Sequence, residues 1–253
     1  MLTIKNLSKS FGNHKIFNSL TISLEKGNIY ALMGANGSGK TTLFNILTGF
    51  LKPDSGEIEF KNSKLNTIAP YKINRLGISR TFQDLRLIDT LTVRENVLLS
   101  MPKNPTDNWL KALLPKRFNQ HFINQLEQNA RELLAKFYLE EVQNQLASDI
   151  SYGQQKLLTL ACSVANKAQF LLLDEPVAGI NPAYRKKISE LLKNLKAEGK
   201  TILLIEHHTE FIQEVADQCL FLYNGQLQTF DSFDKLQKNP TVLEAYLSPQ
   251  PNQ

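Results

Sequence analysis

The stretch Gly34-Ala35-Asn36-Gly37-Ser38-Gly39-Lys40-Thr41 constrains this chain more than any other. It fits the spacing G-x-x-x-x-G-K-[ST], follows the apolar run Asn28 to Met33, and opens a helical pattern from Lys40 to Thr48 that Gly49 closes. Strand, glycine loop and helix in that order form a phosphate cradle. The glycines let the backbone wrap tightly, so that successive N–H groups converge on phosphate oxygens. The helix N-terminus adds its partial positive charge. Gly34, Asn36, Gly37, Ser38 and Gly39 are the expected cradle, with Thr42 in the same helical turn. Lys40 would reach the outer phosphates, and the Thr41 hydroxyl would face magnesium. The guanine-reading N-K-x-D is absent, which favours ATP over GTP.

The rest of the chain predicts an α/β architecture. Leu2 to Leu7, Ser19 to Leu24 and Glu57 to Phe60 read as strands, punctuated by Gly12, Lys26-Gly27 and Pro53-Asp54-Ser55-Gly56. From Leu91 the pattern turns helical. Thr92-x-x-Glu95 is a capping box, Pro102, Pro105 and Pro115 mark a linker, and an amphipathic helix runs from about Phe118 to Tyr138. That helix most simply packs on its own domain; a partner-binding role is the other reading. Strands then alternate with helices: Gln169 to Asp174, Pro182 to Glu198, Thr201 to Glu206, Thr209 to Asp217 and Cys219 to Tyr223. Such alternation implies a parallel sheet.

Composition excludes several classes. With 253 residues, 42% hydrophobic and 21% charged, the chain can bury a real core and is one large domain or two small ones. Its apolar runs are far shorter than the roughly 20 residues a membrane-spanning helix needs. Met1-Leu2-Thr3-Ile4-Lys5 opens without an apolar signal region. Cys162 and Cys219 sit in apolar company with no C-x-x-C partner, which suits buried thiols in a reducing compartment. A net charge of +5 fits a solvated basic surface and leaves nucleotide, nucleic acid or anionic lipid open as partners.

Phe170-Leu171-Leu172-Leu173-Asp174-Glu175-Pro176 is an apolar strand ending in two carboxylates. At the carboxyl edge of a parallel sheet such an end points into the ligand crevice. Asp174 would hold magnesium and Glu175 would polarise an attacking water, a role typically worth about 10²- to 10⁴-fold in rate. About 20 residues earlier, Ile150-Ser151-Tyr152-Gly153-Gln154-Gln155 opens another helix, with Ser151 as N-cap. It makes a second helix N-terminus suited to phosphate.

With these motifs in this order, nearly the whole chain resembles the nucleotide-binding subunits of ABC transporters. The Ile150–Gln154 segment resembles their signature motif, usually L-S-G-G-Q, with Tyr152 in place of a glycine and Ile150 in place of leucine. The resemblance implies a P-loop NTPase (RecA-like) core with an N-terminal antiparallel β subdomain. It assigns residues 1–84 and 166–253 to the catalytic core and 85–165 to an inserted helical subdomain. Phe11 matches the aromatic that stacks on adenine, Gln83 the glutamine that contacts magnesium and water, and His207 the histidine at the γ-phosphate. Asn181 stands where aspartate is common, and His208 has no assigned role. Ser151, Gly153 and Gln154 would close on ATP held by the phosphate loop of a second ATPase subunit, identical or related.

Gly77 to Leu87, Asp174 to Pro182, Ile205-Glu206-His207 and Asn239 to Leu247 resemble importers for branched-chain amino acids. The resemblance implies transmembrane permease subunits as partners, no nucleic acid, and a peripheral position on the cytoplasmic face of the inner membrane. Leu85, Leu87 and Ile88 would either dock a permease helix or fill the protein's own core. Urea or amide importers, exporters or lipid-extraction systems share these motifs. Non-transport ABC ATPases usually add coiled coils, zinc modules or duplicated cassettes, which this sequence does not show.

Overall fold

The computed structural model describes residues 1–83, 85–102 and 116–247, without the side chains of 116–119 and 245–247. Asp84, Pro105, Pro115 and the tail Pro249 to Gln253 fall outside the described residues. In chain order the elements are β1 (Leu2–Phe11), β2 (His14–Leu24), β3 (Ile29–Met33), α1 (Lys40–Leu47), β4 (Ser55–Phe60), β5 (Ser63–Lys64), α2 (Pro70–Leu76) and β6 (Ile78–Arg80). Next come α3 (Val93–Ser100), α4 (Lys116–Lys136), a 3-10 turn (Glu140–Val142) and α5 (Tyr152–Ala165). The last third contains β7 (Phe170–Asp174), α6 (Pro182–Ala197), β8 (Thr201–Ile205), α7 (Thr209–Val215), β9 (Gln218–Tyr223), β10 (Gln226–Phe230), α8 (Phe233–Gln237) and α9 (Pro240–Leu247).

Two sheets organise them. The first has the order β2-β1-β4-β5 and is antiparallel. The second has the order β10-β9-β3-β8-β7-β6. Its strands run parallel except β10, which returns antiparallel on β9. Strands β3, β7 and β8 are buried along their whole length, so each feeds two cores by alternation. Tyr30, Leu32, Leu172, Leu203 and Ile205 join α1 and the antiparallel sheet. Ile29, Ala31, Met33, Leu171, Leu173, Ile202 and Leu204 join the helices of the other face. Each leucine, isoleucine or methionine among them contributes roughly 1.5–3 kcal/mol by leaving water.

Several elements differ from the sequence reading, each for a physical reason. β1 runs on to Phe11 because Asn6, at φ 52°, takes a bulge that returns Leu7 to the core face. The long helix ends at Lys136, not Tyr138: Tyr138 is left-handed (φ 59°). There the N–H groups of Tyr138 and Leu139 donate to the carbonyls of Ala135 and Leu134, a Schellman closure with tyrosine where glycine is usual. The sheet is mixed rather than wholly parallel because Asn224-Gly225, at φ 48° and 73°, makes a tight turn between β9 and β10. The capping box forms as expected: Glu95 N–H donates to Thr92 Oγ1, and Thr92 N–H to Glu95 Oε2.

Buried Asn96 on α3 fixes the loop that follows Gln83. Its Oδ1 accepts from the Ile88 N–H, and its Nδ2 donates to the carbonyls of Ile88, Leu91 and Thr92.

Neither cysteine is in a disulfide, and burial pushes both thiols up to about 11. Because the folded value lies above the unfolded one, the neutral thiol is favoured in the fold. That contribution is fully present below pH 9 and is lost as pH rises towards 11. A thiol reagent at pH 8 should leave buried Cys219 unlabelled in the native protein and label it after denaturation, whereas Cys162 is partly exposed. Rapid native labelling of Cys219 would show that its strand does not pack as described.

Candidate nucleotide and catalytic site

The phosphate loop joins the C-terminal end of β3 to the N-terminus of α1, where sheet alternation places the ligand edge. Gly34 has φ 150°, and a Cβ there would lie 2.5 Å from the Leu222 carbonyl oxygen. Only glycine lets the loop run so close to β9. The loop is closed on itself: buried Lys40 donates through Nζ to the carbonyls of Gly34 and Ala35 at 2.8 and 2.9 Å. Burial lowers the Lys40 pKa, and the carboxylates of Glu175 and Asp174 oppose that shift. The Ser38 hydroxyl is buried without a partner inside the same loop. An orphaned hydroxyl, a desolvated ammonium and a cradle closed to side chains together fit a polyphosphate. Asn36 and Gly37 are exposed at the loop's tip, and Thr41 and Thr42 open α1 behind it.

Asp174 ends β7 in the interior, at 6% exposure, and Glu175 follows half-buried. The structure brings two predicted residues to the Glu175 carboxylate. Gln83 Nε2 donates to Glu175 Oε2 over a long 3.5 Å, and His207 Nε2 lies 3.7 Å from Oε1. Glu175 itself is left-handed (φ 49°), a conformation that costs a non-glycine residue of order 1–3 kcal/mol and clusters at functional sites. Thr41, Asp174 and Gln83 offer a hydroxyl, a carboxylate and an amide oxygen, a hard-oxygen set that suits magnesium.

The other predicted residues sit on other elements. Phe11 ends β1 half exposed, with the Lys9 ammonium 5.5 Å from its ring centre. At the start of α5, Gln154 Oε1 accepts from the Ser151 N–H and hydroxyl, and the Gln154 N–H donates to Ser151 Oγ. Among the described residues, no hydrogen bond joins Ser151 or Gln154 to the phosphate loop. Gly153 is there for space. A Cβ would meet the Tyr184 ring at 2.6 Å, and the Tyr184 hydroxyl sits 3.4 Å from Ser151 Oγ. Tyr152, the departure from the usual signature, points its ring at the Lys156 ammonium, 5.6 Å from the ring centre.

Comparison with known proteins decides the family. Residues 17–178 match the model for the family described as ABC transporter. The chain belongs to the ABC transporter family. The cassette is 33% identical over 248 residues to the high-affinity branched-chain amino acid transport ATP-binding protein LivG of Escherichia coli K12, covering 98% of this chain and 97% of the relative. It is 31% identical over 248 residues to the corresponding protein BraF of Pseudomonas aeruginosa, with the same coverage. A solved nucleotide-free ATP-binding cassette from an ABC transporter superposes with TM-score 0.83 at 30% identity, covering 98% of this chain and 99% of that one. The ADP conformation of an ATP-binding cassette matches equally well, again with TM-score 0.83 and 30% identity.

Four residues at the cassette's site escaped the sequence reading. Arg80 pairs with Asp174 at 3.2 Å. Lys156, on α5, donates to the Glu175 carbonyl at 3.2 Å. His208 is not incidental: it caps α7, accepting from the Phe211 N–H, and its Nε2 meets Arg185. It precedes the helix rather than lying on it. Glu206, 3% exposed, accepts from the N–H groups of Val177, His207 and His208 at 3.0, 2.8 and 3.1 Å. One carboxylate thus ties the loop after Glu175 to the loop bearing His207. An acid closing an apolar strand was the signal for it.

Replacing Glu206 by Ala should cost at least about 2 kcal/mol, because three donors lose a charged acceptor. Glu206→Gln, which keeps one acceptor oxygen, should fall between. Urea denaturation checks both, and a Glu206→Ala protein as stable as wild type would contradict the bonding described.

Proposed function

We propose that this cassette is the ATP-hydrolysing subunit of a membrane importer for branched-chain or related amino acids. The observation that carries the chemistry is the Glu175 carboxylate between Gln83 and His207, beside Lys40 of the phosphate loop. The end-to-end likeness to LivG and BraF supports the substrate class.

In this reading the loop amides and Lys40 hold the phosphates of ATP, exchanging the carbonyl partners of Lys40 for phosphate oxygens. Phe11 stacks on adenine. Glu175 orients a water for attack and takes its proton. His207 and Gln83 hold the Glu175 carboxylate from either side, and His207 faces the γ-phosphate. Magnesium, held by Thr41, Asp174 and Gln83, would neutralise developing phosphate charge. Ser151, Gly153 and Gln154 contact ATP in a facing subunit, which accounts for a built helix N-terminus without a hydrogen bond to the chain's own loop among the described residues.

We further assign residues 85–165 as a helical subdomain that reads a permease. Packing of α3 against both α4 and α5 supports it. The loop before α3 splits the roles left open by its sequence: Leu87 packs on the core, whereas Ile88 is 47% exposed. Ile88, Leu99 and Arg86 border a cavity of about 380 Å³ fit for a permease segment. No described helix is long and apolar enough to cross a membrane, so the spans of such a machine lie on its permeases.

The Glu175→Gln protein should bind ATP normally, lose nearly all hydrolysis, and shift to a dimer on a sizing column when ATP is added. Hydrolysis at the wild-type rate would remove Glu175 from the mechanism. Recovery of the tagged cassette from membranes without any permease would count against transport.

A further inference from the structure

We infer that Arg80 is a positioning residue for Asp174, fixing the carboxylate that meets magnesium. Arg80 closes β6, in parallel register with Leu172 of β7. Its side chain is 5% exposed and that of Asp174 is 7% exposed. A guanidinium is seldom buried this far without a defined task, since desolvating it is costly unless it is paired. Nη2 donates to Asp174 Oδ2 at 3.2 Å, and Nη1 donates to Asn45 Oδ1 of α1 at 2.6 Å. Nε is buried with no partner. The guanidinium lies near the rings of Phe44, 5.4 Å away, and Phe82, 4.7 Å away. Asn45 and the two rings fix the guanidinium, and the guanidinium in turn fixes one oxygen of Asp174.

The neighbouring residue completes the grip. The Thr81 N–H donates to the Leu172 carbonyl, and the Asp174 N–H donates to Thr81 Oγ1. Residues 80 and 81 therefore hold both the backbone and the side chain of Asp174. With Oδ2 engaged, rotation of the carboxylate is restricted and the other oxygen is directed to the metal. An ion pair kept for stability alone would have no reason for a planar donor anchored by α1 as well. The Phe82 ring that stacks on Arg80 also carries the Arg86 guanidinium, 3.4 Å from its centre. The clamp on Asp174 thus continues into the loop bearing Gln83.

The inference rests on the proposed reading of Asp174 as a magnesium-holding carboxylate. It is tested by nucleotide binding rather than turnover. ATP is titrated into the full chain in EDTA and again in magnesium, for wild type and Arg80→Met. Affinity in EDTA should stay within about two-fold of wild type, while the tightening produced by magnesium should fall by about 10- to 100-fold, as when a partner of a ligating carboxylate is lost. An Arg80→Met protein that melts like wild type and keeps the full tightening overturns the inference. If Arg80→Met does not fold, Asn45→Ala decides. It leaves the Arg80 charge in place but frees the guanidinium, and should lose the tightening several-fold; full tightening again overturns the inference. Wild type binding ATP equally with and without magnesium would instead overturn the metal reading, and this inference with it.

Discussion

Charge buried at the carboxyl edge of a parallel sheet is the constraint around which the rest of this structure is arranged. Lys40, Asp174, Lys156 and Glu206 are each at most 8% exposed. Left alone, any of them would neutralise or unfold its surroundings. Each is answered by a partner from a different element. Lys40 is held by the loop carbonyls, Asp174 by Arg80, Lys156 by the Glu175 carbonyl, and Glu206 by three backbone amides. The loops at this edge are therefore positioned by electrostatic need as much as by apolar packing. The apolar strands below supply the rigid floor that makes such placement repeatable.

The starts of α1 and α5 are built differently. That of α1 is approached by glycine backbone and a lysine that bonds its own loop, an arrangement that can change partners when phosphate arrives. The start of α5 is braced instead. Ser151 and Gln154 satisfy one another, and the Tyr184 ring fills the space that any residue larger than Gly153 would need. A start satisfied in this way presents a fixed polar surface.

How much was legible in the sequence follows from the range of the interactions. β3, β7 and β8 were readable because a strand buried on both faces is apolar at every position. The phosphate loop and the acids after β7 were readable because glycine spacing and a charge after an apolar run are local signals. The Asn224-Gly225 hairpin was also a local signal, and it went unused. Arg80 was not readable. It reaches a carboxylate 94 residues away, and nothing in its neighbours marks an arginine on a three-residue strand as buried. The bulge at Asn6 and the left-handed Tyr138 escaped for a related reason: neither residue type requires a positive φ, and tertiary packing imposed it.

The strained backbone of Glu175 links these observations. A non-glycine residue stays left-handed only where its surroundings hold it. Here the Glu175 N–H donates to the Ile205 carbonyl of β8, and its own carbonyl accepts from Lys156 of α5. The first bond fixes the residue to the sheet. The second fixes it to the helix whose start carries Ser151 and Gln154. A displacement of α5 against β7 larger than the Lys156 stem can take up must therefore break that bond or carry the Glu175 peptide with it. The Glu175 peptide is thus joined through Lys156 to the helix that begins at Ser151 and Gln154.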